Sequence, residues 1–144
     1  MPSLFDHVLQ EPSYELAEVQ LTYKSQRPPS TMPFVNTPES AEQYLRNIWD
    51  HDAMEICEDF MILILNASKR CLGWCRLSRG GATAAIVDPA HVFRVALLGN
   101  AHSIIVAHNH PSGNTRISQA DKNITKKLAE AGRLLDISLE DHII

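Results

Sequence analysis

Apolar and polar residues first alternate between Leu16 and Lys24, where Val19, Leu21 and Tyr23 interleave with Gln20, Thr22 and Lys24. A period of two predicts a half-buried strand. Residues 1–15 show no period and read as a loose arm. Ser25 to Pro33 holds three prolines and reads as a loop. The period then becomes helical. Ala41, Tyr44, Leu45, Ile48 and Trp49 share one face, behind Thr37 as N-cap and Pro38 in the first turn. Phe60 to Leu65 is a continuous apolar run, the pattern of a strand covered on both faces. Cys71 to Leu77 reads as its neighbour across the turn Asn66-Ala67-Ser68-Lys69, and Ala82 to Val87, beyond Gly80-Gly81, as a third short strand. Pro89 opens a helix that turns Val92, Phe93, Ala96 and Leu97 inward and stops near Gly99-Asn100. Ser103 to Ala107 is another buried strand. A helix from Ser118 to Ala131 follows, with Ile124, Leu128 and Ala131 on one stripe and Gly132 near its end. Ile137-Ser138-Leu139 and His142-Ile143-Ile144 read as pieces of a last strand.

Strands alternating with helices around buried apolar runs predict an α/β fold: a single layered domain, a mixed β-sheet flanked by helices. The expected division is an arm over 1–36, with one strand and the Pro-rich loop, and a folded domain over 37–144. At 144 residues with 44% apolar content, the chain is long enough for a core without metal or disulfide scaffolding. The three cysteines, Cys57, Cys71 and Cys75, have no framework spacing and fit reduced thiols. Cys71 and Cys75 read as buried apolar residues of a strand. No run is long enough to span a membrane, and the first residues lack the basic start and apolar stretch of a signal peptide, so the expectation is a cytoplasmic protein. The net charge of −4 does not support bulk attraction to nucleic acid. Residues 1–60 carry 3 Lys+Arg against 11 Asp+Glu, whereas residues 61–144 carry 10 against 6. The second half thus allows a basic face, with Lys122, Lys126, Lys127 and Arg133 along its helix, although such residues more often form a plain solvated face.

Chemistry concentrates in Ala107-His108-Asn109-His110-Pro111-Ser112-Gly113, with Ser118 and Asp121 beyond. In an extended chain residues i and i+2 point to the same side, so His108 and His110 form half of a metal site. Ten residues separate His110 from Asp121, enough for a loop to return a helix start to the strand end. Two imidazoles and a carboxylate suit Zn²⁺ and leave a fourth position for water. Hydrolysis at such a site needs a carboxylate base, for which Glu55, Glu58 and Asp59 are all placed just before a central strand. Asp121 also has a purely structural explanation: it falls three residues after the N-cap Ser118, where an acid stabilises the first helical turn.

These residues resemble the JAMM metalloprotease motif of the JAB/MPN fold, a cytidine-deaminase-like architecture. More narrowly they resemble its RadC-like branch, named for an old association with DNA repair. The resemblance runs from about Thr37 to Ile144 and takes in Glu58-Asp59-Phe60, Gly80-Gly81, Val87-Asp88-Pro89, Ala107 to Gly113 and Asp141-His142-Ile143-Ile144. It implies His108, His110 and Asp121 as zinc ligands and Glu58 as the acid/base toward the metal's water. It also implies Ser118 as a stabiliser of the developing oxyanion, and amide or isopeptide hydrolysis of a protein or peptide substrate as the reaction. Three departures stand out. Ala90 follows Pro89 where relatives often have Arg, a preceding helix-hairpin-helix region has no room, and the chain stops after Ile144 where relatives commonly continue.

Other classes fit less well. A contiguous His108-Asn109-His110 is not the dispersed signature of an HNH nuclease, and a zinc deaminase needs His-x-Glu with a later Pro-Cys-x-x-Cys. The reading from a different class is a binding module of DNA metabolism with a structural or vestigial zinc site. His142, after Asp141, fits either support for a metal ligand or a plain hydrogen bond tying the last strand. Oligomeric state is open.

Overall fold

The computed structural model describes residues 17–20, 22–81 and 87–144. Thr37 caps the first helix, its hydroxyl accepting from the Ser40 N–H at 3.2 Å while the Ser40 hydroxyl accepts from the Thr37 N–H at 3.1 Å. Pro38 fills the first position, where its missing N–H costs nothing. Helix α1 (Pro38–Ile48) then lays Ala41 and Leu45 inward. Strands β1 (Asp59–Leu65) and β2 (Cys71–Arg79) form an antiparallel pair. Asp88 caps helix α2 (Pro89–Leu98) by accepting from the Ala90 N–H at 2.9 Å. Strand β3 (Ser103–His108), helix α3 (Gln119–Leu134) and strand β4 (Ser138–Ile143) complete the order.

The sheet order is β2-β1-β3-β4, with β1–β3 antiparallel and β3–β4 parallel. A parallel pair needs a crossover, which α3 supplies. All seven residues of β1 are buried, because helices cover both faces. Phe60, Ile62 and Ile64 join Ile104, Val106 and residues of α2 and α3 in one core, while Leu63 and Leu65 join Ile105, Ala107 and α1 in another. The period of two along β1 thus feeds two cores. Each such side chain, once buried, contributes about 1.5–3 kcal/mol. Gly132 lies on the buried side of α3, where a Cβ would come within 2.2 Å of the Ile137 carbonyl oxygen. Only glycine lets the chain fold back there toward β4.

Several expectations need revision. Residues 17–20 and 22–24 carry no strand; Val19 is 85% and Tyr23 45% exposed. Alternation alone does not make a strand without a hydrogen-bonding neighbour, and the extended piece that reaches the sheet lies later. The Val35 N–H donates to the Lys69 carbonyl and the Cys71 N–H to the Pro33 carbonyl, each at 2.8 Å, and Val35 is buried under α1. Helix α3 runs on through Gly132 to Leu134, and the two expected last-strand pieces are one strand that starts at Ser138. The expected strand at 82–87 lies largely outside the described residues. Cys71 and Cys75 pack on opposite faces, Cys71 in the α1 core and Cys75 against the other, so they cannot share a metal ion. Burial pushes the Cys71 thiol up to about 11, which keeps it protonated. No helix among the described residues is long and apolar enough to cross a membrane.

Candidate metal centre

β3 ends on His108, which is 3% exposed, and the chain stays extended long enough to bring His110 to the same side. The two Nε2 atoms lie 2.9 Å apart. The loop beyond turns at Gly113, whose φ of +74° favours glycine and whose N–H returns to the His110 carbonyl at 2.9 Å. That turn brings the Asn114 carbonyl to 2.6 Å from His110 Nδ1. The loop then delivers Ser118, the N-cap of α3, and with it Asp121.

Asp121 reaches both imidazoles, with Oδ1 3.1 Å from His108 Nε2 and Oδ2 3.7 Å from His110 Nε2. The ligating atoms of His108, His110 and Asp121 all lie within 4.8 Å of one another. Asp121 is also the cap residue that the sequence suggested. Its Oδ2 accepts from the Ser118 N–H at 2.7 Å, and its own N–H donates to Ser118 Oγ at 3.1 Å. The two roles are compatible, since the cap holds the carboxylate in place through Oδ2 and leaves Oδ1 facing His108.

The electrostatics suit a cation. Burial pushes His108 below the usual histidine range, only partly opposed by the Asp121 carboxylate. Burial and then the neighbouring His108 hold His142 down to about 4. Burial raises the Asp121 carboxyl, but the Ser118 hydrogen bonds and both imidazoles outweigh it, so the group stays ionised. A neutral His108 imidazole and an ionised Asp121 carboxylate are the protonation states a bound metal requires of these two residues. Two nitrogens and one oxygen fit Zn²⁺.

The three carboxylates before β1 separate clearly. Asp59 is 1% exposed and closed off by Arg79, whose Nε and Nη2 lie 2.7 and 2.8 Å from its two oxygens; Arg76 Nε is 3.2 Å away. It is a structural ion pair. Glu58 is half-buried, and its charge acts on His108. Glu55 is exposed and lines a groove of about 1020 Å³ beside the triad, bounded by Glu39, Glu42 and Trp49 on one side and by His108 and His110 on the other.

Sequence reasoning assigned no role to Asn109 or Thr125. Asn109 Nδ2 donates to the carbonyls of Met54 and Cys57 at 2.7 and 2.8 Å, and its Oδ1 accepts from the Asp59 N–H at 2.8 Å. It ties the segment carrying Glu58 to the strand carrying the histidines. The available signal was parity: between His108 and His110, residue 109 must point away from the triad. His142 is 2.8 Å from His108 Nδ1 through its Nε2, and its Nδ1 is 2.6 Å from Thr125 Oγ1.

The RadC-like JAB domain model matches residues 35–144. The chain is 36% identical over 129 residues to a UPF0758 protein of Haemophilus influenzae strain PittEE, covering 90% of this chain and 57% of that protein. It is 46% identical over 87 residues to a UPF0758 protein of Flavobacterium johnsoniae, covering 60% of this chain and 38% of the relative. It is 45% identical over 87 residues to the UPF0758 protein YfjY of Escherichia coli K12, covering 60% and 54%. The chain therefore spans between 38% and 57% of the length of these relatives. With the α/β sheet, the converging triad and a match from residue 35 to residue 144, the chain belongs to the family of RadC-like JAB domains.

Proposed function

We propose that the protein is a zinc-dependent hydrolase of amide or isopeptide bonds in a protein or peptide substrate. The observation that carries this reading is the convergence of His108 Nε2, His110 Nε2 and an Asp121 oxygen within 4.8 Å. Among the described residues the group has three members, whereas a purely structural zinc site is closed by four protein ligands. Zinc bound there supplies Lewis acidity and brings the pKa of a coordinated water down toward ~7.

The chain's own residues do the rest. Glu58, on the segment that Asn109 fastens to the strand end, accepts the water's proton and returns it to the leaving amine. Ser118 Oγ accepts from the Asp121 N–H, which leaves its own hydrogen free to donate to a developing oxyanion. The groove between α1 and the loop after His110 receives the substrate chain. The test is metal content and zinc-edge X-ray absorption of wild type and Asp121→Ala. The expected result is about one zinc per chain on nitrogen and oxygen donors, with occupancy reduced by the substitution. No zinc after remetallation, or a sulfur-rich site, would reject the proposal.

A further inference from the structure

Proton order around the triad can be worked out from acceptors that carry no proton. Thr125 Oγ1 lies 2.6 Å from the Asp121 main-chain carbonyl. A carbonyl only accepts, so the hydroxyl donates its single hydrogen there. Oγ1 is then an acceptor toward His142 Nδ1, which must carry the hydrogen of that 2.6 Å contact. A neutral imidazole has one N–H, so His142 Nε2 is bare. It faces His108 Nδ1 at 2.8 Å, which must therefore be protonated. His108 Nε2 is left with its lone pair directed at His110 Nε2 and Asp121 Oδ1. His110 reaches the same state by a separate route, since its Nδ1 faces the Asn114 carbonyl.

We infer that His142 is a positioning residue that, braced by Thr125, fixes His108 in the Nδ1–H tautomer and so presents its Nε2 lone pair to a metal. The relay links three elements, His108 on β3, His142 on β4 and Thr125 on α3. Its far end returns to the main chain of Asp121, so it also ties one ligand to another. The ring is held in a fixed plane, with Phe60 stacked on His108 at 6.0 Å and edge-on to His142 at 5.6 Å. Partners of this kind orient metal-bound histidines and raise their basicity.

The inference rests on the proposed metal site for its purpose, but one of its two readouts, the tautomer, is independent of that site. Imidazole ¹⁵N spectra of the metal-free protein near neutral pH read the tautomer directly, and chelator competition reads zinc affinity. Wild-type His108 is expected as Nδ1–H. His142→Phe should release that preference and weaken zinc binding about 10- to 100-fold. His142→Gln, which keeps an acceptor near the Nε2 position, should hold most of the affinity, and Thr125→Val should fall between. Melting curves confirm that each variant folds. A wild-type His108 in the Nε2–H tautomer would overturn the relay, as would affinity unchanged in His142→Phe. Equal loss in the Phe and Gln variants with the tautomer intact would assign the effect to packing and also overturn it. Failure of wild type to bind zinc would reject the hydrolase proposal, while the tautomer would still decide the relay.

Discussion

Ser118 and Asp121 hold each other through two reciprocal hydrogen bonds, and the same Asp121 carboxylate faces His108 across 3.1 Å. A helix cap and a metal ligand are thus one group. Capping fixes the carboxylate by local chain geometry, so its position does not depend on a metal to organise it. The cap and the ligand can nevertheless be separated by mutation. Ser118→Ala should cost about 1 kcal/mol of stability through the lost cap. Asp121→Asn keeps an acceptor for the Ser118 N–H and should cost less, yet weaken zinc binding by at least about tenfold. Thermal melts with chelator competition check both; an Asp121→Asn protein that binds zinc like wild type would remove Asp121 from the ligand set.

Asn109 satisfies one main-chain N–H and two carbonyls between residues 54 and 59. Asn109→Ala leaves all three without their partner. Unsatisfied groups of this kind cost about 1–3 kcal/mol each where water cannot reach them. The expected loss is about 2–3 kcal/mol, since part of the segment is solvated. Amide hydrogen exchange should speed up across residues 54–58 while β1 stays protected. Uniform destabilisation with no local change would show that Asn109 does not anchor this segment.

Stability should also depend on pH in a defined window. His142, held to about 4 by burial and then by His108, and His108, lowered by burial, both refuse protons in the folded chain. Unfolded, each takes one near pH ~6.5. The unfolded chain therefore binds more protons as pH falls, and the fold loses stability. The metal-free protein should keep its full stability above about pH 6.5 and lose on the order of 2 kcal/mol by pH ~4, after allowance for solvent screening. Asp121, and Glu140 with its Lys69 hydrogen bond, act in the same direction but at lower pH. Urea titrations of the chelator-treated protein at several pH values measure this. A flat profile between pH 6.5 and 4.5, or one that His142→Gln leaves unchanged, would contradict it.

Much of this arrangement is visible in the sequence where the cause is local. Thr37-Pro38 and Ser118 announce helix starts because a cap involves residues three apart. Phe60 to Leu65 announces a central strand because both faces of β1 are covered. The His108, His110 and Asp121 cluster follows from parity on a strand plus one loop length. Contacts between distant segments are another matter. Val19 and Tyr23 alternate as a strand would but have no partner strand among the described residues, whereas Val35, in no obvious pattern, is buried. Asn109 meets residues about fifty positions away, and Thr125 matters only because β4 returns His142 to it. No period in the chain encodes such meetings.

Glu58, Glu55 and Asp59 sit close together in sequence, and the structure gives each a different environment, so three substitutions should give three different outcomes. Glu58→Gln removes the proposed proton carrier near His108 but, among the described residues, no hydrogen bond that holds the fold. Zinc content and melting temperature should match wild type, while turnover of an amide substrate falls by about 10²–10⁴. Glu55→Gln, on the exposed groove wall, should leave chemistry intact and act at most on substrate affinity. Asp59→Asn should instead unfold part of the population, because Arg79 and Arg76 lose the buried charge they share. Breaking one side of such a pair costs about 3–5 kcal/mol when buried, and less here because both arginines are partly solvated. Parallel measurement of zinc content, melting and turnover separates the three. If Glu55→Gln abolished turnover and Glu58→Gln did not, the proton carrier would be Glu55, and the proton path would run along the groove wall.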